Sequence, residues 1–509
     1  MISRTYTAII IGLQPIKVEV EVDSNRGVPG LVLIGLAGRA VEEAKERISS
    51  ALLNCGVRTR AKRTIVNLAP ADIKKTSSIL ELAIAVALLK NYQEIKLKTD
   101  DTIFFGELSL NGAVKVIKGA LPLVLAAKKM GFKKVILPAA NQDELSLISG
   151  IKIFTIQHLK EIISLAKKKS LLPELLHKSF KAAQSQKFKI DFADIKGQLE
   201  AKRVLEIAAA GGHNLLMLGP PGSGKTLLAK AMVSILPPLT EQEAVEVTKI
   251  YSVAGLAKSS LIRERPFRSP HHTSSHVALL GGGTALKPGE ISLAHRGVLF
   301  LDEFPEFSRF CLEALRQPLE EGKVIISRAI GAVTYPAIFT LIAAANPCPC
   351  GYRGSVSAEN LCICNDFDLQ RYRRKLSGPI LDRIDLHFRV RAVKIEDLAE
   401  QNLAEQETST QIRQRVIKAR NAQLNRLSQF ALTNNSELDN KILRNVCKME
   451  KAAFRFLQIA AERLKFSARV YFKIIKVAQT IADLDGVKEI SEKQLAEAIS
   501  YRIAKNILD

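Results

Sequence analysis

A glycine-rich loop between an apolar strand and a helix is the clearest chemical feature of the sequence. In LLMLGPPGSGKTLLAKAM (residues 215–232), glycines allow backbone N–H groups to approach an anion, and the start of the following helix favours negative charge. A lysine at this spacing reaches the β- and γ-oxygens of a nucleoside triphosphate, and the next hydroxyl binds Mg²⁺. The predicted triphosphate site consists of Gly219, Pro220, Pro221, Gly222, Ser223, Gly224, Lys225 and Thr226.

Two further apolar stretches end in polar side chains that suit hydrolysis of a bound triphosphate. GVLFLDEF (residues 297–304) delivers Asp302, which would hold Mg²⁺ through water, and Glu303, which would orient or deprotonate the attacking water. FTLIAAAN (residues 339–346) ends at Asn346, immediately before a proline. Its side-chain amide can position the lytic water, whereas an Asn before Pro is by itself usually a turn residue.

Four of the seven cysteines lie close together in the chain, in two C-x-C pairs. Two such pairs separated by a loop can supply four thiolates for a tetrahedral, structural Zn²⁺. The C-x-C spacing is tighter than that of most zinc sites, and small packing residues or a redox-labile pair are the alternatives. The predicted zinc ligands are Cys348, Cys350, Cys362 and Cys364. The isolated cysteines, expected to pack in the core or on helices, are Cys55, Cys311 and Cys447.

The elements that must position these residues divide the chain into three regions. Residues 1–170 alternate strand-like and helical stretches, such as IKVEVEVD and SSILELAIAVALLK, which predicts an α+β domain. A basic, polar linker is predicted at residues 171–189. Residues 190–395 alternate helices with short apolar strands, as in an α/β domain with a parallel sheet. Residues 396–509 have a helical pattern almost throughout.

The composition is that of an ordinary globular chain with a strong positive charge. The 509 residues are 47% hydrophobic and carry a formal net charge of +23, of which residues 1–190 contribute +14. Nucleic acid is the polyanionic partner that this balance favours, and a Lys-rich surface that only aids solubility is the alternative. No apolar run reaches the roughly 18 residues of a membrane span, and no signal peptide is recognisable. We therefore expect a cytoplasmic protein without membrane contact.

Longer stretches resemble the ComM/YifB-type, magnesium-chelatase-like branch of the AAA+ ATPases. The resemblance is carried by RPFRSPHHTSSHVALLGGG (265–283), PGEISLAHRGVLFLDEF (288–304), LRQPLEEGKVIISRA (315–329) and AANPCPCG (344–351). It extends over nearly the whole chain and implies a P-loop AAA+ core that binds ATP with Mg²⁺. It also implies a preceding Lon-protease-like α+β domain and a following all-α lid. ComM members of this family are implicated in branch migration during natural transformation.

The resemblance also implies an assembly and further site residues. Such ATPases act as rings, here expected to be hexamers, with ATP at the subunit interface. Arg383 in GPILDRIDL matches the arginine supplied to the neighbour's γ-phosphate, and a salt bridge with Asp382 or Asp385 is the alternative. Arg469 in SARVY matches the sensor-2 arginine of the lid, which reaches the same nucleotide. The positions that match those nearest adenine are Ile195 and Gly197.

Three stretches of the central region and the basic N-terminal region are candidates for contact with DNA. Residues 269–283 and the hairpin around 324–334 match the inserts that line the central hole in relatives of the family. The pair His271–His272 lies in the first insert, where we expect contact with substrate or a neighbouring subunit. RYRRKLSG (371–378) is the densest basic run of the central region, and it suits either phosphate binding or the end of an interface helix.

The N-terminal region resembles the Lon-protease-like fold through residues 106–141. The protease needs a Ser–Lys pair, because a serine hydroxyl is a weak nucleophile without a base. Leu121 stands where the protease has its lysine, so we expect the domain to be proteolytically inert. The segment SSILELAIAV (77–86) differs from the sequence that members of the family usually have at this helix.

The predicted function is that of an ATP-driven, hexameric motor acting on single-stranded or branched DNA, of the helicase or branch-migration type. The alternative is a magnesium-chelatase-like ATPase subunit that remodels a partner protein. A nucleotide-switched scaffold with slow turnover is a third possibility, and the combination of Glu303, Asn346 and Arg383 argues against it.

Overall fold

The computed structural model describes most of the chain. The described residues are 2–35, 39–57, 62–73, 75, 77–167, 172–177, 190–257, 261–283, 286–328, 331–353, 361–375, 378–392 and 407–502. They form an N-terminal region (2–177), a central region (190–392) and a C-terminal region (407–502). Most of the predicted linker at 171–189 lies outside the described residues, and the domain boundaries stay a prediction.

A seven-stranded mixed sheet organises the N-terminal region, in the order β3-β4-β2-β1-β5-β8-β9. Its strands β1 and β2, and β2 and β4, pair antiparallel, whereas the other neighbours are parallel. The strands are β1 (Ser3–Ile11), β2 (Gln14–Asn25), β3 (Gly30–Ile34), β4 (Arg63–Ala69), β5 (Thr102–Phe104), the separate hairpin β6 (Glu107–Leu108) and β7 (Val114–Lys115), β8 (Lys134–Pro138) and β9 (Lys152–Ile156). The helices are α1 (Arg39–Asn54), α2 (Glu81–Asn91), α3 (Ala120–Lys129), α4 (Gln142–Leu145) and α5 (Leu159–Ala166).

The predicted patterns of this region are confirmed at two elements. In β2, the alternate residues Val18, Val20 and Val22 are fully buried, as the period of two indicates. Helix α2 is buried from Glu81 to Leu89. Burial raises the pKa of the Glu81 carboxyl, which contacts Arg47 Nη2 at 2.6 Å and accepts a hydrogen bond from the Leu108 N–H. The buried acid is therefore paired, as a buried charge must be.

A five-stranded, fully parallel sheet forms the centre of the central region, in the order β11-β14-β17-β10-β18. Its strands are β10 (Leu215–Leu218), β11 (Phe267–Arg268), β14 (Val298–Leu301), β17 (Thr340–Ala345) and β18 (Leu386–Arg389); two hairpins are formed by β12 (Gly281–Gly282) with β13 (Lys287–Pro288), and β15 (Lys323–Arg328) with β16 (Gly331–Pro336). The helices are α6 (Leu199–Gly211), α7 (Lys225–Ile235), α8 (Glu241–Ala254), α9 (His276–Leu280), α10 (Glu290–Leu293), α11 (Arg309–Ala314), α12 (Arg316–Glu321), α13 (Asp366–Lys375) and α14 (Gly378–Leu381).

The two faces of this sheet belong to two different cores. Leu215 and Met217 of β10 pack with α6, α7 and helices of the C-terminal region, whereas Leu216 and Leu218 pack with residues of α9 to α12 and the β15–β16 hairpin. Successive residues of a strand point to opposite faces, so a strand covered on both sides must be apolar without interruption. This is why β10, β14 and β17 are continuous apolar runs in the sequence.

Among its described residues, the C-terminal region contains helices and no strands. They are α15 (Ser409–Leu427), α16 (Asn440–Val446), α17 (Lys451–Arg463), α18 (Ala468–Asp485) and α19 (Glu492–Ser500). The buried Asp385, just before β18, ties α18 to the sheet: its Oδ1 lies 2.6 Å from Lys473 Nζ, and its Oδ2 accepts from the Asn214 N–H. The Lys473 ammonium and the His213 ring hold the pKa of Asp385 well below its ordinary value, even though burial acts against ionisation. No helix within the described ranges is long and apolar enough to cross a membrane.

Among the described residues, the contacts of the N-terminal region with the central region include the turn at Gly12 and the packing of α4 against α8. The turn at Gly12 lies against Val333 of the β15–β16 hairpin, where a Cβ on Gly12 would come within 1.9 Å of Val333 Cγ1. Gly12 also has a φ of +64°, so both the space and the backbone require glycine. Elsewhere, the Ser252 hydroxyl of α8 donates to the buried Glu144 carboxylate of α4.

Candidate active site

The carboxyl ends of three adjacent strands bring the predicted site residues together. In the sheet, β17 lies between β14 and β10, and all three run parallel. The glycine-rich loop follows β10, the acidic pair follows β14 and Asn346 follows β17. Ligands of open parallel sheets bind at this edge, outside the carboxyl ends of the strands.

The glycine-rich loop ends where helix α7 begins. Gly224 is the N-cap of α7 and has a φ of +84°, a left-handed conformation that glycine adopts without strain. The first N–H groups of an α-helix have no partner within the helix, and they point towards the loop that precedes it. The loop and the N-terminus of α7 thus form an anion site of the kind that binds phosphate groups.

Lys225 lies at the centre of this site and is 8% exposed. Its Nζ donates to the carbonyl oxygens of Gly219 and Pro220, each at 2.8 Å, and lies 3.4 Å from Asn346 Oδ1. Burial lowers the pKa of the Lys225 ammonium, and the nearby Asp302 carboxylate acts against this shift. The lysine and the polar residue after β17 therefore face one another across two neighbouring strands.

Thr226 and Asp302 form a pair suited to Mg²⁺. The Thr226 hydroxyl donates to Asp302 Oδ2 at 2.8 Å, and Asp302 Oδ1 accepts from the Glu303 N–H at 3.0 Å. Mg²⁺ prefers oxygen ligands and binds proteins through one or two of them, together with substrate phosphates and water. The hydroxyl and the carboxylate fit this cation by type and by proximity.

Glu303 has a partner that the sequence analysis did not identify. Its Oε2 lies 3.0 Å from His272 Nδ1, and the His272 ring contacts that of His271 in a tilted arrangement, with centroids 4.1 Å apart. His272 lies in the segment that follows β11, the strand next to β14, so the sheet order brings this segment close to Glu303. The histidine pair was expected to contact substrate or a neighbour; in the folded chain, one member touches the predicted catalytic carboxylate.

Asn346 has contacts at its side chain, with Lys225, and at its backbone carbonyl. The Tyr372 hydroxyl donates to the Asn346 carbonyl at 2.9 Å, and burial raises the pKa of that tyrosine. Tyr372 is the aromatic residue of the basic run RYRRKLSG, and it is 6% exposed. It therefore packs beside the predicted nucleotide site and is not available for stacking on a DNA base. Of the basic neighbours, Lys375 Nζ lies 2.8 Å from Glu306 Oε2.

Arg383 and Arg469 meet at a third residue. Arg383 Nη2 lies 2.7 Å from Glu320 Oε1, and Arg469 Nη2 lies 3.1 Å from the same oxygen. The salt-bridge partner of Arg383 is thus Glu320, and neither Asp382 nor Asp385. The roles of both arginines towards a nucleotide stay predictions.

The predicted adenine segment is anchored to the C-terminal region. Ile195 is 4% exposed, and Gly197 has a φ of +64°. Just before them, the Phe192 N–H donates to Ser409 Oγ at 2.8 Å, and Asp191 Oδ1 accepts from the Ser409 N–H. The segment therefore lies against the start of α15, and its contact with adenine stays a prediction.

The four clustered cysteines come together in space. Their sulfur atoms all lie within 4.8 Å of one another. Cys348 Sγ is 3.3 Å from Cys350 Sγ and 3.7 Å from Cys362 Sγ, and it accepts from the Arg353 N–H. Cys348 follows Asn346 by two residues, so this cluster adjoins the predicted nucleotide site.

The two inserts predicted to line a central hole are only partly described. The first contains α9 and the short strand β12, besides the histidine pair. The second is the β15–β16 hairpin, whose tip at 329–330 lies outside the described residues.

Together, the sheet order, the loop and the polar strand ends define a P-loop ATPase of the AAA+ class. Comparison with known proteins places the chain within that class. The family model described as "Magnesium chelatase, subunit ChlI" matches residues 191–398. Models for "Subunit ChlI of Mg-chelatase" and for the ChlI C-terminal part match residues 20–141 and 406–502. The chain belongs to the ComM/YifB-type, magnesium-chelatase-like family.

Full-length relatives agree with this assignment. Competence protein ComM of Haemophilus influenzae is 42% identical over 99% of this chain and 98% of its own length. The uncharacterised protein YifB of Escherichia coli is 39% identical over the whole chain and 98% of its own length. A shorter match, 44% identical over 13% of the chain, is to Lon protease 2 of Bacillus subtilis, of which it covers 13%.

Proposed function

We propose that this ATPase is a ring-forming motor, a hexamer, that acts on single-stranded or branched DNA in the manner of a helicase or branch-migration enzyme. The observation that carries the ATPase part is the convergence of Lys225, the Thr226–Asp302 pair, Glu303 and Asn346 at one edge of the sheet. The net charge of +23, with +14 in residues 1–190, favours a polyanion as partner. A full-length relative is named a competence protein, and this name also favours DNA as the partner.

The proposed reaction is hydrolysis of the bond between the β- and γ-phosphates of ATP. The Lys225 ammonium would neutralise phosphate charge, and the Asn346 amide would orient the attacking water. The Glu303 carboxylate would take the proton of that water as it attacks the γ-phosphorus. Thr226 and Asp302 would hold Mg²⁺, which supplies positive charge to the phosphate oxygens when bound. Clustered cysteines that bind a metal suit a reducing compartment, so we propose a cytoplasmic location.

The second candidate is an ATPase subunit that remodels a partner protein. The matches to magnesium-chelatase subunit models, which together span most of the chain, favour it. In this case ATP turnover would drive another chain, and DNA would not change the rate. The positive charge and the competence relative favour the DNA motor.

Turnover of ATP in the presence of DNA distinguishes the two candidates. We expect forked or four-way DNA to raise the steady-state ATPase rate severalfold, and we expect this stimulation to fall steeply as salt is raised, because phosphate contacts release counterions. Phosphate release measured with and without each DNA, at two salt concentrations, tests this. An ATPase rate that no DNA changes at low salt would contradict the DNA motor and favour the remodelling subunit.

We also propose that the cysteine cluster binds one structural Zn²⁺. Zn–S bonds of about 2.3 Å in a tetrahedron separate the sulfur atoms by about 3.8 Å. Cys362 Sγ lies 3.7 Å from Cys348 Sγ and 3.6 Å from Cys350 Sγ, close to that value. All four ligand positions would be filled by protein, which leaves no open position for catalysis. The ion would brace the chain just after Asn346.

Elemental analysis tests the zinc site. Tag-free protein should contain about one zinc per chain, because one four-thiolate site holds one ion. Cys350→Ser with Cys362→Ser should lose the zinc and melt at a lower temperature. The matched control is Cys55→Ser, which changes an isolated cysteine and should keep the metal. Metal-free wild-type protein with undiminished thermal stability would refute the proposal.

A further inference from the structure

Glu320 joins three elements that are far apart in the chain. It lies on α12, and its Oε1 accepts from Arg383, between α14 and β18, and from Arg469, in the first turn of α18. The two nitrogen donors lie 2.7 and 3.1 Å from that single oxygen atom, so the two guanidinium groups are close neighbours. Nothing in the sequence spacing of these residues indicates that they meet.

The charges of this trio do not cancel. Arginine stays protonated in proteins, so two positive charges face one carboxylate and a net charge of +1 remains. Like charges so close together repel, and the shared carboxylate offsets that repulsion. The net positive charge of the trio therefore favours the approach of a further anion.

The two arginines differ in how firmly they are held. The Arg383 side chain is 8% exposed, and its Nη1 donates to the Pro379 carbonyl at 2.7 Å. Its buried Nε has no hydrogen-bond partner among the described residues. The side chains of Arg469 and Glu320 are 49% and 45% exposed. The anion would thus approach from the solvent side, where Arg469 and Glu320 are open.

We propose that Glu320 is a positioning residue that holds Arg383 and Arg469 as a pair for the terminal phosphate of ATP bound to an adjacent copy of the chain. The inference rests on the proposed ring, in which Arg383 serves the neighbour's nucleotide. Without the carboxylate, the two guanidinium groups repel each other, and the exposed Arg469 turns into solvent. The two guanidinium groups would then be misplaced relative to the phosphate. A misplacement of about 1 Å lowers the rate by up to about 100-fold.

The first test compares Glu320→Gln with a matched control on the adjacent residue. We expect Glu320→Gln to lower kcat for ATP by about tenfold or more, while the Kd for ATP and the melting temperature stay at wild-type values. Glu320→Asp keeps the charge and should recover part of the loss. The control, Glu321→Gln, changes an exposed carboxylate that lies 3.3 Å from Lys323 Nζ, and it should leave kcat unchanged. Wild-type or increased turnover of Glu320→Gln would overturn the proposal.

The second test asks on which subunit Glu320 acts. A Glu320→Gln chain mixed with a Glu303→Gln chain forms interfaces that join an intact Glu303 site to an intact Glu320–arginine trio. We expect such mixed rings to recover ATPase activity. One outcome is that rings of Arg383→Ala with Glu303→Gln recover ATPase activity, whereas rings of Glu320→Gln with Glu303→Gln do not. This outcome would overturn the role of Glu320 and leave the proposed ring intact. Absence of recovery in both mixtures, with mixing verified, would instead remove the trans role of Arg383 and the inference with it.

Discussion

Lys225→Ala should abolish binding of ATP, whereas Glu303→Gln should bind ATP and fail to hydrolyse it. The buried ammonium of Lys225, at the start of α7, donates to the loop that we expect to receive the phosphates, so its removal takes away charge that binding itself requires. The Glu303 carboxylate is more than half exposed beside the loop, where it can act on water without holding the nucleotide. Loss of a general base costs about 10² to 10⁴-fold in rate.

Two measurements on each variant separate these effects. Titration with a fluorescent ATP analogue reports binding, and phosphate release reports turnover. Lys230→Ala on the exposed face of α7 and Glu306→Gln after the acidic pair are the matched controls, and both should retain ATP binding. Hydrolysis by Glu303→Gln at the wild-type rate would show that another group activates the water. Tight ATP binding by Lys225→Ala would show that the phosphates lie elsewhere.

Mixing two inactive chains should restore ATPase activity. Arg383→Ala lacks the arginine proposed to serve the neighbouring site, and Glu303→Gln lacks the base of its own site. A mixed ring contains interfaces at which an intact Glu303 meets an intact Arg383 from the next subunit. An arginine supplied in trans contributes roughly 10³-fold or more to turnover in studied cases, so even a fraction of intact interfaces is measurable.

Subunit exchange must be shown separately for this test. Chains labelled with donor and acceptor dyes, mixed under the same conditions, report ring mixing through energy transfer. Verified mixed rings without ATPase activity would mean that Arg383 acts within its own chain, where it contacts Glu320. The control mixture, Glu303→Gln with Lys225→Ala, leaves one of the two substitutions in every site and should stay inactive.

The sequence determined the local chemistry of the site. Strand, glycine loop and helix are contiguous from 215 to 232, so the geometry that presents Lys225 and Thr226 to a phosphate follows from neighbouring residues. The continuous apolar runs before Asp302 and Asn346 indicate buried parallel strands, whose carboxyl ends share one edge. The same reasoning predicted the alternating strand β2 and the buried helix α2. The cysteine spacing, in contrast, left packing and metal binding both open.

Only the tertiary structure decided which distant side chains meet. The order of the sheet places β11 beside β14, and this brings His272 to Glu303. The packing of α12 against the segment before β18 and the start of α18 gathers Arg383 and Arg469 on Glu320, although Arg469 is 149 residues away from that glutamate in the chain. Periodicity reports which face of an element is buried, but the partner of that face depends on how all elements pack at once. Pairings between distant segments therefore cannot be read from residue spacing.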